Sequence, residues 1–500
     1  MEKKNYIVGI DVGSSNIVVV VGSKNESGDM VVEALVEKAS KGVNAGMVEN
    51  INQVSECVRA AKMEAEEKLG IRISEAYAGV SGAFIRCASL SDHVYIREPQ
   101  NGISQSDVDA LFLRMKEVVA PENEVIMERI PQRYVVDGNR EVADPVGAFS
   151  RQLSATFNFI LCEKTPLERL NMAFRHSGLQ LAGVYANSMI VSESLLSEDE
   201  RMEGVAVVDI GGSTTDVAVY HGNILRHIAT IPMGGSAING DIKMHGIPER
   251  NVESLKRKCG SAIAEFVSEQ KLIQIPSMGH RTKGVLRRNL AAIIEARLTD
   301  IAEFVKAEIK DSGYAGRLSF GLVLTGGSAA IEHIEELFHR VTGYDVRVAT
   351  ATSGLEEDSR SGIECPEHTA AVSLLLKGAE HGVCAVTPKP MGYVAPEPRT
   401  PRPAGYPYTA STPTSTPTAT HTPTPMPTPA TTPEQNGGGG VADSDAVAEP
   451  NNVTPSATEG EGSSSGSTGS GWGKFGNMLK KLTDGINKTF DHADEDDEII

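Results

Sequence analysis

The chain has 500 residues, too long for one ordinary domain and enough for about three. With 47 Lys+Arg against 66 Asp+Glu its formal charge is −19, a field that repels phosphate and argues against nucleic acid as a partner. Six cysteines without a CxxC pair, an N-terminal MEKKNYIVGID without an apolar leader and the lack of any run of ~20 apolar residues argue against disulfide scaffolds, zinc fingers, secretion and membrane spans, and leave an intracellular soluble core as the expectation.

Apolar strand and helix patterns alternate with Gly-rich turns up to about residue 386, as in an α/β protein. Residues 7–20 read IVGIDVGSSNIVVV, and residues 205–219 read VAVVDIGGSTTDVAV. Each is an apolar strand ending in Asp, a turn of small residues and a second apolar strand, so each predicts a β-hairpin with a small-residue tip. The repeat predicts two related lobes facing a shared cleft. A third small-residue turn, LVLTGGSAA (322–330), leads from a strand into a helical pattern. A polyphosphate needs backbone N–H groups at close range, which only small side chains allow. Gly13, Ser14, Ser15 and Asn16 can cradle one end of it, and Gly211, Gly212, Ser213 and Thr214 the other. Asp11 and Asp209 end the strands before these turns and suit Mg²⁺ bridging the phosphates, directly or through water. Gly326, Gly327 and Ser328 open a helix whose N–H groups suit an anion or a close nucleoside. Each turn alone fits an ordinary tight turn; the specificity lies in the three together. There is no GxxxxGK[ST] sequence, which sets P-loop chemistry aside.

DVGSSN, DIGGSTTD and LTGGSA resemble the two phosphate motifs and the adenosine motif of the actin–Hsp70–sugar-kinase superfamily. VSGAFIRC (80–87), IPQRYVVDG (130–138), IPMGGSAINGDI (231–242) and IIEARLTDIAEFV (293–305) narrow the resemblance to the bacterial division family FtsA, over about residues 1–385 and a terminal helix. It implies a two-lobed actin-like (ribonuclease H-like) fold that binds ATP and Mg²⁺ and polymerises. The implied function is an adaptor anchoring the FtsZ ring to the cytoplasmic face of the inner membrane at the division site, with downstream division proteins as further partners. The expected divisions are first-lobe residues 1–81, an inserted 1C subdomain at 82–162, the remainder of that lobe and the start of the second at 163–227, subdomain 2B at 228–310, and a return through 311–386. Within 2B, ERNVESLKRKCG (249–260) resembles the helix beside the nucleoside, so Glu253 and Lys256 are expected to contact it; a solvated charged face is the plainer alternative. By the same resemblance Arg297 contacts the C-terminal tail of FtsZ, and Glu193 stands where relatives carry a carboxylate or amide near the attacking water. Any ATPase activity is expected to be slow.

Prolines crowd after residue 387, 14 of the 25 falling between Pro388 and Pro433, with Thr between them. Residues 387–471 therefore read as a disordered linker. Trp472, Phe475, Met478, Leu479, Leu482, Ile486 and Phe490 recur on one arc at about 100° per residue, with lysines opposite, which predicts an amphipathic helix over 472–490 lying on a membrane or docking on a protein. An acidic end, 491–500, follows. A sugar-kinase-like phosphotransferase or an Hsp70-like ATPase are the alternatives; the first lacks a convincing hydroxyl-activating Asp, and the second a substrate domain after the core.

Overall fold

A computed structural model describes residues 4–276, 282–363 and 365–388. The expected linker beyond Pro388, the helix with Trp472, Phe475, Met478, Leu479, Leu482, Ile486 and Phe490, and the acidic end lie outside the described residues.

Two five-stranded sheets carry the fold, and they repeat one topology. In the first, the strands run in the order Gln180–Ala186, Glu75–Val80, Tyr6–Val12, Asn16–Lys24, Met30–Ala39. In the second, the order is Val346–Val348, Leu322–Thr325, Val205–Ile210, Thr215–His221, Ile224–Ile231. Each contains a three-stranded antiparallel meander, and the first strand of the meander also pairs in parallel with a strand that arrives later in the chain. The β-branched runs explain the burial: Ile17 to Val21 are all buried, as in a strand covered on both faces. Helix Thr369–His381 packs onto the first strand where Gly9 leaves room, since a Cβ there would stand 3.0 Å from the Ala371 carbonyl oxygen and the Leu374 Cβ. Helix Ile51–Leu69 starts at Asn50, whose side chain accepts from the Gln53 amide at 3.1 Å, and stops at Gly70 with φ +66°.

Between Val80 and Lys164 a separate module is inserted. Its antiparallel sheet runs Arg140–Val142, Glu124–Val136, Gln152–Glu163, Ile85–Tyr95. Helix Gln105–Lys116 covers one face and buries Leu111 and Met115 against Phe157 and Phe159 in a core of its own. A capping box starts that helix, with the Ser104 amide donating to Asp107 at 2.9 Å.

Two expected boundaries move. Strand Ile224–Ile231 is the edge of the second sheet, so the small module on that lobe begins after it rather than at 228. Strand Val386–Pro388 pairs with Ile71–Ile73, so the core runs two residues past 386. That pairing recruits the first proline of the Pro-rich segment, Pro388, by tertiary contact, which composition alone does not signal.

Candidate functional site

The hairpins Tyr6–Lys24 and Val205–His221 point their tips at each other. A Cβ at Gly212 would meet the Ser14 hydroxyl at 2.6 Å and the Ser15 hydroxyl closer still. One cleft is lined by Asp11, Gly13, Ser14, Ser15, Asn16, Asp209, Gly211, Gly212 and Thr214, by Glu253 and Lys256, and by Gly326, Gly327 and Ser328. The three turns and helix Glu249–Cys259, scattered over more than 300 residues of sequence, thus share one space. Ser213 stands outside this lining; its buried hydroxyl has no partner among the described residues.

The second tip is held by the chain that follows it. The Gly235 and Ser236 amides donate to the carbonyls of Gly211 and Gly212 at 2.9 and 2.6 Å, and Thr215 donates to the Met233 carbonyl at 2.8 Å. The third turn stands against the second through Gly326, with φ +86°, a conformation that suits glycine. A Cβ there would strike the Asp209 carboxylate and lie 2.7 Å from the Ile210 carbonyl oxygen. The Thr325 hydroxyl reaches Thr369 on the first lobe at 2.9 Å, and Arg257 pairs with Glu367 across the mouth at 2.9 Å.

The floor is acidic. Burial pushes the Asp11 carboxyl up to about 6, against the Asn187 amide donating to it at 3.2 Å. Burial raises Asp209 well above the usual carboxylate range, and the charges of Asp216 and Asp11 add to it. Asp216, directly opposite Asp209 in the hairpin, is also lifted to about 6 by burial, although Ser81 and Thr230 donate to it. Three neighbouring carboxylates resisting ionisation form a cation-seeking arrangement. At the other end, Lys256 is buried and its ammonium depressed by burial; it donates to Glu253 at 2.8 Å and to the Gly235 carbonyl at 3.2 Å. Burial works against ionisation of Glu253, yet Lys256 and Asn239 hold its carboxyl below the usual range.

Two expected residues take other places. Glu193 is exposed and pairs with Lys377 at 2.9 Å, away from the cleft lining. It lies about 9 Å along the helix from Asn187, on a different face. Asn187, at the start of that helix, is the residue that enters the cleft; it is 7% exposed, and its side-chain oxygen is buried without a partner among the described residues. Arg297 is engaged within its own lobe, with two bonds to Asp241 at 2.7 and 3.1 Å and one to Asp300 at 3.0 Å. Sequence reading also passed over Asp216 and Ser81, although they lie in the quoted DIGGSTTD and VSGAFIRC segments, and over Asn187, which no local pattern marks.

Duplicated sheets around an acidic, glycine-tipped cleft define a two-lobed actin-like protein. Among solved structures, the PilM–PilN type IV pilus biogenesis complex has a chain of the same fold, with a TM-score of 0.51 at 14% identity over 75% of this chain and 98% of that one. A model of the cell division protein FtsA matches residues 206–373, and one for the SHS2 domain inserted in FtsA matches residues 82–161. Cell division protein FtsA of Pseudomonas aeruginosa is 30% identical over 407 residues, spanning 80% of this chain and 96% of that protein. FtsA of Escherichia coli K12 is 31% identical over 388 residues, 75% and 91% of the two chains, and FtsA of Bacillus subtilis 28% over 378. This chain belongs to the FtsA family of cell division proteins.

Proposed function

We propose that this protein is an ATP-binding, self-assembling adaptor that ties FtsZ filaments to the cytoplasmic face of the inner membrane at the division site. The observation that carries the nucleotide reading is the convergence of both hairpin tips and the Gly326 turn on one cleft with carboxylates at its floor. The residues present fit Mg²⁺–ATP: glycines where a Cβ would fill the cradle, buried carboxylates short of positive charge, and the unpartnered Asn187 oxygen. Asp11 and Asp209 would hold the metal, directly or through water; the metal supplies charge neutralisation of the phosphates. The tip amides and the hydroxyls of Ser14 and Ser15 would bind phosphate oxygens. Glu253 and Lys256 would face the nucleoside beside Gly326, Gly327 and Ser328. Asn187, rather than Glu193, would orient the attacking water in a slow hydrolysis.

The partners follow from the family and from sequence pattern. Arg297 and the basic sequence HRTKGVLRRN (280–289) that precedes it would receive the acidic tail of FtsZ, and Arg297 has to exchange Asp241 or Asp300 for a tail carboxylate to do so. The 472–490 segment, with its seven apolar residues on one arc, would lie in the lipid interface. Among the described residues no helix is long and apolar enough to cross a membrane. Fluorescence titration of the full chain with a labelled ATP analogue, with Mg²⁺ and with EDTA, tests the nucleotide reading: saturable, metal-dependent binding is expected, and absence of binding at millimolar nucleotide refutes it.

A further inference from the structure

The inserted domain belongs to the first lobe by covalent connection. The chain leaves for it after Ser81 and returns at Glu163, and the Glu163 amide donates to the Phe84 carbonyl at 3.1 Å, tying exit to entry. Its base shares the main core through Ile85, Ile160 and Cys162, the Lys164 amide donates to the Asn123 carbonyl at 2.9 Å, and it is also hydrogen-bonded to the other lobe. Gln132 donates to the Leu225 carbonyl at 3.0 Å and Asn158 to the Arg226 carbonyl at 2.8 Å, both on the edge strand of the second sheet. Arg226 answers with a bond to the Gln132 carbonyl at 2.8 Å. Its guanidinium is fixed by the His221 carbonyl at 2.9 Å and by the Tyr314 ring, 5.5 Å away. Four residues along the same strand, Thr230 donates to Asp216 at 2.5 Å. The other Asp216 oxygen accepts from Ser81, the residue at which the insertion departs.

We propose that the inserted domain is a strut between the lobes that senses closure of the cleft, with Asp216 as the positioning residue linking the cleft to both of its anchor points. This rests on the nucleotide reading of the cleft. Asp216 lies opposite Asp209 on the second hairpin, and through Thr230 and Ser81 it fixes the edge strand and the insertion junction at once. A rotation of one lobe against the other cannot keep both the covalent junction and the Arg226–Gln132–Asn158 clamp unless the inserted domain moves with it. Packed, hydrogen-bonded contacts of this kind switch between discrete arrangements rather than stretch. A ligand that draws the hairpin tips together therefore changes the surface the inserted domain presents to a neighbour, and by linkage a partner on that domain changes nucleotide affinity.

The test is hydrogen exchange on the full chain with and without Mg²⁺–ATP, with binding measured by calorimetry on the same samples. Wild type should show a nucleotide-dependent change in protection over 124–142 and 152–163. Arg226→Ala, which lies outside the cleft, should bind nucleotide with an affinity altered at least threefold and lose that change; Asn158→Ala should do the same in part. Thermal melts establish that the variants are folded. A wild-type inserted domain unmoved by demonstrated nucleotide binding, or a change that persists in Arg226→Ala, overturns the proposal. If calorimetry shows no binding, the nucleotide reading fails by itself. The clamp is then judged without ligand: Arg226→Ala should speed exchange in the hairpin 205–221, and equal exchange there overturns the strut.

Discussion

Asp209→Asn should move the stability of the free protein and its response to Mg²⁺–ATP in opposite directions. Lifting Asp11 from its ordinary value near 3.8 to about 6 corresponds to about 3 kcal/mol of penalty on its ionised form. Asp209 is pushed up in the same direction, by burial and then by both neighbouring carboxylates, so removing its charge relieves a penalty of the same sign. At pH 8 the variant should therefore be more stable than wild type without ligand. The sign of the pH dependence follows. Between about pH 4 and the raised values, the folded chain holds more protons on these groups than the unfolded chain does, so wild-type stability falls as pH rises through that window. The advantage of Asp209→Asn should shrink as pH falls toward 5, since proton uptake relieves the same penalty in wild type. With Mg²⁺–ATP at a hundredfold its dissociation constant, wild type gains about 2.7 kcal/mol, and the variant should lose most of that gain. Melting curves at pH 5 and pH 8, with and without Mg²⁺–ATP, read all four quantities. A variant no more stable than wild type at pH 8, or one that keeps the full Mg²⁺–ATP shift, refutes the reasoning.

Gly326→Val combines a φ of +86°, costing about 1–3 kcal/mol for a branched residue, with a collision against Asp209 and Ile210, and should abolish nucleotide binding and lower the melting temperature; unchanged calorimetric binding would remove the third turn from the site. Asn187→Ala should lower single-turnover ATP hydrolysis at least tenfold while Glu193→Gln leaves it unchanged, and the reverse ranking would restore Glu193. Arg297→Ala strands Asp241 and Asp300 and should cost about 1–3 kcal/mol, less than the 3–5 of a fully buried pair, while weakening FtsZ-tail binding in polarisation assays run well below its melting temperature; wild-type affinity there would clear Arg297 of a partner role. Leu479→Glu with Leu482→Glu should release the protein from anionic vesicles in co-sedimentation, and equal pelleting would favour the docking-helix alternative.

The hairpins were legible because their information is local: strand, Asp, small-residue turn and strand lie within about fifteen residues, and their repetition implied the second lobe. Gly326 was marked by its small-residue turn only in company, since such a turn alone fits an ordinary tight turn and the two hairpins gave the third its context. Asn187 and Ser81 were not, because their roles depend on which helix start and which strand end the sheet order delivers to the cleft. Glu193 shows the converse. A carboxylate in the right helix carried no sign of its face, and six residues turn it onto Lys377. Arg297 was marked by its segment, but its Asp241 partner is 56 residues away and appears only once two helices pack. The clamp at Arg226 depends on where an entire inserted domain comes to rest, which no single stretch of sequence encodes.

A calorimetric titration of the full chain with ATP in Mg²⁺, repeated in EDTA and with Gly326→Val, decides whether the cleft between the hairpin tips holds a nucleotide. Binding of one nucleotide per chain, weakened by EDTA and absent in the variant, is the expected result. Absence of heat at millimolar ATP, or binding that ignores both the metal and Gly326, would contradict the assignment of the cleft between the two hairpin tips.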